Sequence, residues 1–259
     1  MPFAELKGVR IHYELAGPVK APVLVFSNSL GTDLTMWDAQ MPEITKKFRV
    51  LRYDKRGHGQ SSAPAGLYTI EQLGRDALAL FDFLHLDRVH FCGLSIGGQT
   101  GMWLGLNAAE RLNKLILSNT AAKIGTPEIW NPRIEAVRKG GVKVVAATVI
   151  ERWFTAGFRA KEPKEVSRIQ RVLESANTEG YIGCCAAVRD FDCREKLSAI
   201  RTPTLVIAGA HDPATTPEDG RWAAERIPGA RYVELNAAHL SNIEARERFT
   251  AEVSQFLAA

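Results

Sequence analysis

Short apolar runs alternate with amphipathic stretches along most of this chain. The apolar runs predict strands at 9–13, 22–26, 50–53, 89–92, 114–117, 204–208 and 231–235. The first two form a predicted strand pair around a Gly17-Pro18 turn. Apolar positions at helical spacing predict helices at 69–86, 97–111, 217–226 and 244–257. This order predicts a mostly parallel sheet that is covered by helices on both faces.

The stretch from 121 to 200 interrupts the alternation. It has helical patterns and three aromatic clusters but no convincing strand, and the strand pattern restarts after Thr202-Pro203. We therefore predict an α/β core built from residues 1–120 and 201–259, with a helical lid inserted at 121–200.

Composition and charge exclude several classes of protein. No stretch reaches the roughly 18 consecutive apolar residues of a membrane span. The N-terminus lacks the apolar run of a secretory signal, so we expect a cytoplasmic protein. The 33 Lys and Arg residues against 29 Asp and Glu are scattered, which argues against a nucleic-acid partner. The four cysteines lack metal-ligand spacing, and we predict no metal site.

The segment Gly93-Leu94-Ser95-Ile96-Gly97 is the strongest chemical signal. It follows an apolar strand and precedes a helix, the context of a tight turn that lifts a serine hydroxyl out of a sheet. The flanking glycines remove side chains that would collide across such a turn. Ser95 is therefore the candidate nucleophile.

A serine nucleophile needs a base, and the base needs an acid that orients it. Asp212 and His239 each follow a predicted strand, and they come after Ser95 in the order serine, acid, histidine. The carboxyl ends of the strands would bring these side chains to one edge of the sheet. Glu218 and Asp219 are rival acids, although both fall inside the following helix.

Backbone donors for an oxyanion are expected beside the serine. One candidate is the N–H of Ile96, the residue that follows the nucleophile. The other is the N–H of Leu30, in the loop after strand 22–26. A nucleotide cofactor is the competing interpretation of the glycine-rich loops, but no dinucleotide or P-loop pattern is complete.

Together these residues resemble the α/β-hydrolase superfamily. Residues 54–61 (DKRGHGQS) match its D-x-R-G-x-G-x-S segment. Many members carry His-Gly in the oxyanion loop, where this chain has Asn28-Ser29. A narrower resemblance, to bacterial 3-oxoadipate enol-lactonases, rests on residues 27–37 (SNSLGTDLTMW), 122–130 (AKIGTPEIW), 151–155 (ERWFT) and 207–212 (IAGAHD).

The resemblance implies an eight-stranded α/β-hydrolase fold and hydrolysis of an anionic enol-lactone without a cofactor. Several basic residues of the lid are candidate partners of the substrate carboxylate, namely Lys123, Arg133, Arg138, Arg152 and Arg189. We choose Arg133, because Trp130 lies three residues earlier and would form a wall beside the lactone ring. Two alternative functions stay open. The protein could be another serine hydrolase of this fold, such as an aryl esterase, a perhydrolase-like haloperoxidase or a C–C bond hydrolase, or it could be a non-catalytic ligand receptor. Epoxide hydrolases and haloalkane dehalogenases need an aspartate at position 95 and are disfavoured.

Overall fold

A computed structural model of the chain describes residues 2–259. Its strands are β1 (Phe3–Leu6), β2 (Val9–Ala16), β3 (Val23–Ser27), β4 (Arg49–Tyr53), β5 (Val89–Leu94), β6 (Leu112–Ser118), β7 (Thr204–Gly209) and β8 (Arg231–Leu235). They form one sheet in the order β1-β2-β4-β3-β5-β6-β7-β8. Strand β2 is antiparallel to β1 and β4, and all other neighbours are parallel. The predicted eight-stranded, mostly parallel sheet is confirmed.

The predicted pairing of strands 9–13 and 22–26 is wrong. Strand β2 pairs with β1, in a register that places Leu6 opposite Val9, and with β4 on its other side. Strand β3 lies between β4 and β5. The apolar run of β3 is buried for most of its length, and such a run favours a parallel position inside the sheet over a hairpin at its edge.

The helices pack on both sides of this sheet. They are α1 (Met41–Ile44), α2 (Ile70–Phe83), α3 (Ile96–Asn107), α4 (Pro127–Gly140), α5 (Lys143–Trp153), α6 (Ala156–Lys161), α7 (Pro163–Glu174), α8 (Thr178–Asp190), α9 (Pro217–Arg226), α10 (Ser241–Glu244) and α11 (Arg246–Ala258). Short 3-10 helices occupy Leu34–Gln40, Ala109–Arg111 and Arg194–Ala199. Residues 119–203, all of which are described, contain α4 to α8 and no strand. The division into a core and a lid stays a prediction.

Alternate residues of the inner strands enter two separate cores. Along β3, Leu24 and Phe26 join one apolar cluster, whereas Val25 joins the other with Phe81 of α2. Phe26 stacks on Trp37 with ring centroids 4.4 Å apart. Each fully buried side chain of this size stabilises the fold by about 1.5–3 kcal/mol. The period of two along the strand is the reason that helices cover both faces.

Helix α8 contacts the loop after β4 backbone to backbone. A Cβ atom on Gly57 would lie 2.4 Å from Cα of Gly180, and a Cβ on Gly180 would lie 2.2 Å from the carbonyl oxygen of Gly57. Gly57 also has a φ of 74°, a conformation that favours glycine. This contact holds α8 directly on the loop that follows β4.

Within residues 2–259, no helix combines the length and apolarity that crossing a membrane requires. The four cysteines are buried, and none forms a disulfide.

Candidate active site

Ser95 lies on the sharp turn between β5 and α3. Its backbone has φ 59° and ψ −119°, a strained conformation for a residue with a side chain. The turn is closed by contact between two glycines, since a Cβ on Gly93 would lie 2.0 Å from the carbonyl oxygen of Gly97. The Ser95 N–H donates to the Ser118 carbonyl at 3.0 Å, and the Thr120 hydroxyl donates to the Ser95 carbonyl at 2.8 Å. These contacts hold the strained turn in place.

Asp212 and His239 meet at the carboxyl edge of the sheet. Asp212 follows β7, His239 follows β8, and Nδ1 of His239 donates to Oδ2 of Asp212 at 2.7 Å. Of the rival acids, Asp219 accepts hydrogen bonds from Thr216 in a capping box at the start of α9. Glu218 is exposed in the first turn of the same helix. Asp212 is therefore the carboxylate that contacts His239.

The carboxylate of Asp212 is almost completely satisfied by donors. The backbone N–H groups of Ala214 and Thr215 donate to Oδ1 at 2.8 and 3.1 Å. The Thr215 hydroxyl and the Asn119 amide donate to Oδ2 at 2.8 and 3.0 Å. Burial raises the pKa of Asp212, but the charge of His239 and the hydrogen bonds from His239, Asn119 and Ala214 outweigh it and lower the pKa to about 2. Asp212 is thus ionised across the physiological pH range.

Asn119 and Thr215 are the supporting residues that sequence reasoning missed. Asn119 directly follows β6 with a φ of 42°, a region that asparagine tolerates better than most residues. The sequence signal that could have identified Asn119 is its position at the end of a strand. Strand β6 lies between β5 and β7, the strands that precede Ser95 and Asp212, so a residue that follows β6 comes to lie beside both. Thr215 lies three residues beyond Asp212, the spacing of a side chain that closes a turn on an aspartate.

A cavity of about 130 Å³ opens above the serine. Ser95, His239 and Leu30 line it from the sheet edge, and Trp130 and Arg133 line it from α4. The other residues of its wall are Ser29, Ile124, Gly125, Ile129, Val149, Arg152, Trp153, Val188, Pro213 and Ala214. A mostly apolar wall with a few convergent polar groups is the usual character of a small-molecule site.

Arg133 presents a cation to this cavity. Its guanidinium carbon lies 5.2 Å from the ring centroid of Trp130 and 5.5 Å from that of Tyr181, whose hydroxyl accepts a hydrogen bond from Nη2. The Nε atom is buried without a partner among the described residues, and none of their carboxylates forms a salt bridge with this arginine. A guanidinium that lies beside aromatic rings and forms no salt bridge can accept an anionic ligand.

The loop after β3 packs against the start of α3. A Cβ on Gly97 would lie 2.2 Å from the Ser27 carbonyl oxygen, so this loop and the serine turn meet backbone to backbone. Leu30 lies three residues beyond Ser27 and lines the cavity. Ile96 is the first residue of α3, where helix N–H groups have no partner within the helix. The structure therefore brings both predicted oxyanion donors to the neighbourhood of Ser95.

Asn28, in the position where many α/β-hydrolases carry histidine, ties this loop to its surroundings. Its amide donates to the Tyr53 carbonyl at 3.0 Å, and its side-chain oxygen accepts from the indole N–H of Trp37 at 2.9 Å. The departure from His-Gly leaves the backbone donors of the loop in place.

Three other histidines have partners away from the serine. His12 donates to Asp54 at 2.7 Å, His58 accepts from a backbone N–H, and His211 contacts Asn236 at 2.8 Å. In the part of the chain that the structure describes, His239 is the histidine that lines the cavity. Residues 2–259 also contain no group of three or more His, Cys, Asp or Glu side chains placed to hold a metal ion.

Comparison with known proteins extends this description. Residues 22–246 match the family model described as alpha/beta hydrolase fold. The chain is 44% identical to 3-oxoadipate enol-lactonase 2 of Acinetobacter baylyi, over 95% of this chain and 92% of that protein. It is 40% identical to enol-lactonase 1 of the same organism, over 97% and 94%. The crystal structure of the enol-lactonase from Burkholderia xenovorans LB400 superposes with a TM-score of 0.98 at 48% identity, covering 100% of both chains.

Proposed function

Because the chain belongs to the α/β-hydrolase fold family, we propose that it hydrolyses 3-oxoadipate enol-lactone to 3-oxoadipate in the catabolism of aromatic compounds. The observation that carries the proposal is the cavity in which Ser95 and His239 face Arg133, a cation without an acidic partner among the described residues. The likeness to enol-lactonases over nearly the whole chain supports the choice of lactone.

In the acylation step, Ser95 attacks the lactone carbonyl. Nε2 of His239 takes the serine proton, while Asp212 binds Nδ1 and stabilises the imidazolium that forms. When the tetrahedral intermediate collapses, the ring C–O bond breaks, and the ring oxygen becomes an enolate that stays attached to the acyl chain. His239 returns the proton to the enolate, and the enol tautomerises to the ketone while the acyl group stays on Ser95.

Water completes the reaction. His239 removes a proton from a water molecule, which attacks the acyl carbonyl and displaces the Ser95 oxygen. The serine recovers its proton, and the new carboxylate leaves with the ketone as the dicarboxylate product. Both steps create a negative oxygen, and the Leu30 and Ile96 N–H groups are the donors that we assign to it. The N-terminus of α3 adds a favourable dipole at the same place.

The acetate arm of the substrate binds Arg133 in this proposal. The side chain of Trp130 packs beside the lactone ring. It is almost completely buried, and its indole N–H donates to the Ile124 carbonyl at 2.8 Å. Residues 121–200 act as the lid over a core formed by residues 1–120 and 201–259. The reaction uses no cofactor, and the four free cysteines accord with a cytoplasmic location.

Multiple-turnover hydrolysis of 3-oxoadipate enol-lactone, followed by its ultraviolet absorbance, tests the proposal. We expect the lactone to be turned over much faster than p-nitrophenyl acetate, and Ser95→Ala to lower both rates by roughly 10⁴-fold. Circular dichroism of the variant checks its fold. Faster hydrolysis of the ester than of the lactone would reject the lactonase assignment, and stoichiometric binding without turnover would indicate a receptor.

A further inference from the structure

Lys55 buries its ammonium group directly beneath the oxyanion loop. The residue is only 3% exposed, and no carboxylate of residues 2–259 lies within salt-bridge distance of it. Its Nζ atom donates to the carbonyl oxygen of Ser29 at 2.8 Å. Burial lowers the pKa of Lys55 to about 8, so the ammonium form still predominates at pH 7. A buried cation is costly, and among the described residues its hydrogen-bond partner is a backbone carbonyl.

His58 holds the same loop one peptide further along. It is buried, and Nε2 accepts a hydrogen bond from the N–H of Gly31 at 2.8 Å, while Nδ1 lies 3.3 Å from the Arg56 carbonyl. Burial and the nearby charge of Lys55 lower the pKa of His58 well below its usual value. The ring is therefore neutral, with a proton on Nδ1 and a lone pair on Nε2 for the Gly31 N–H.

These two contacts determine both peptide planes around Leu30. In a trans peptide the carbonyl and the following N–H point in opposite directions. Holding the Ser29 carbonyl towards Lys55 therefore turns the Leu30 N–H the opposite way. Holding the Gly31 N–H on His58 in the same manner determines the plane between Leu30 and Gly31.

We infer that Lys55 and His58 are positioning residues that orient the Leu30 N–H as an oxyanion donor, a role that rests on the proposed hydrolysis. The Thr32 hydroxyl also donates to the Ser29 carbonyl, at 2.9 Å, so the lysine shares this task. Its positive charge additionally polarises the Ser29–Leu30 peptide, which strengthens the N–H as a donor.

Lys55→Met tests the inference because it keeps most of the stem and removes the ammonium. We expect kcat to fall between about 10- and 100-fold for both the lactone and p-nitrophenyl acetate, with little change in KM, since the oxyanion forms with either substrate. Lys114→Met is the matched control. Nζ of Lys114 also donates to backbone carbonyls, those of Phe256 and Leu257 at 2.9 and 3.2 Å, but outside the cavity. Its kcat is expected to stay within about twofold of wild type.

His58 provides an independent variant pair. His58→Leu removes the acceptor for the Gly31 N–H and is expected to lower kcat, whereas the side-chain oxygen of His58→Gln can accept that bond and restore part of the rate. Crystal structures of Lys55→Met and Lys114→Met give a readout that does not depend on any substrate. Rotation of the Ser29–Leu30 peptide only in Lys55→Met supports the inference.

An unmoved peptide together with a kcat near that of wild type would overturn it. Failure of the lactone assignment is distinguishable, because the ester rates and the peptide orientation still report on Lys55 when the lactone is not a substrate.

Discussion

Replacement of Arg133 by methionine removes the cation from the cavity and keeps an apolar stem beside Trp130. The guanidinium lies close to the rings of Trp130 and Tyr181, and its Nε is buried without a partner among the described residues. No carboxylate of residues 2–259 competes for it. A substrate carboxylate would therefore gain its hydrogen bonds without displacing an existing ion pair.

The expected loss of activity in Arg133→Met follows from the hydrogen bonds that the substrate carboxylate would lose. A hydrogen bond to a charged group contributes about 1.5–3 kcal/mol. At about 1.36 kcal/mol for each factor of ten, this corresponds to a loss of roughly 10- to 150-fold in kcat/KM for the anionic lactone, mainly through KM. Hydrolysis of p-nitrophenyl acetate, which is neutral, is expected to change by less than about threefold.

Steady-state kinetics on both substrates make the measurement. Arg152→Met is the matched control, since Arg152 also lines the cavity but is exposed, and an exposed charge contributes about 1 kcal/mol or less. Equal losses on the lactone and the ester would refute a carboxylate role for Arg133. So would a larger loss from Arg152→Met than from Arg133→Met.

Two further predictions concern the turn that carries Ser95 and the carboxylate of Asp212. Gly97→Ala places a Cβ 2.2 Å from the Ser27 carbonyl oxygen, so we expect a large loss of kcat and of stability in urea unfolding. Gly105→Ala in the same helix, whose Cβ would meet only side-chain carbons at 3.3 Å, is expected to change stability by less than about 1 kcal/mol. The pKa of Asp212 is lowered to about 2, so its contribution to stability is complete above about pH 4. The free energy of unfolding then falls by about 2 kcal/mol as the pH is lowered through 2. Urea unfolding measured at a series of pH values should show this fall for the wild type and not for Asp212→Asn.

The parts of the site that follow strands could be predicted from the sequence. Asp212 and His239 stand just beyond apolar runs, and parallel strands bring their carboxyl ends to one edge. The three-residue spacing of Trp130 and Arg133 predicted a shared helix face, and the guanidinium does lie over the indole ring. In these cases a local pattern and one rule of geometry were enough.

Other features depend on contacts between distant segments. Tyr181 reaches Arg133 from another helix, and Lys55 reaches Ser29 from another loop, so no local spacing indicates either contact. The partner of β2 was misassigned for a similar reason. A turn signal at Gly17 says where a strand ends, but which strand comes to lie beside it depends on burial across the whole sheet.

The contact of Gly57 with Gly180 restricts how this protein can vary. Each glycine occupies the space in which a Cβ of the other would stand, so a side chain at one position cannot be offset by a smaller residue at its partner. Glycine is already the smallest residue, and the compensating pairs that arise elsewhere in packed cores do not exist here. Position 180 lies outside any recognisable motif, yet we expect it to be as invariant among relatives with this contact as Gly57 in its glycine-rich loop.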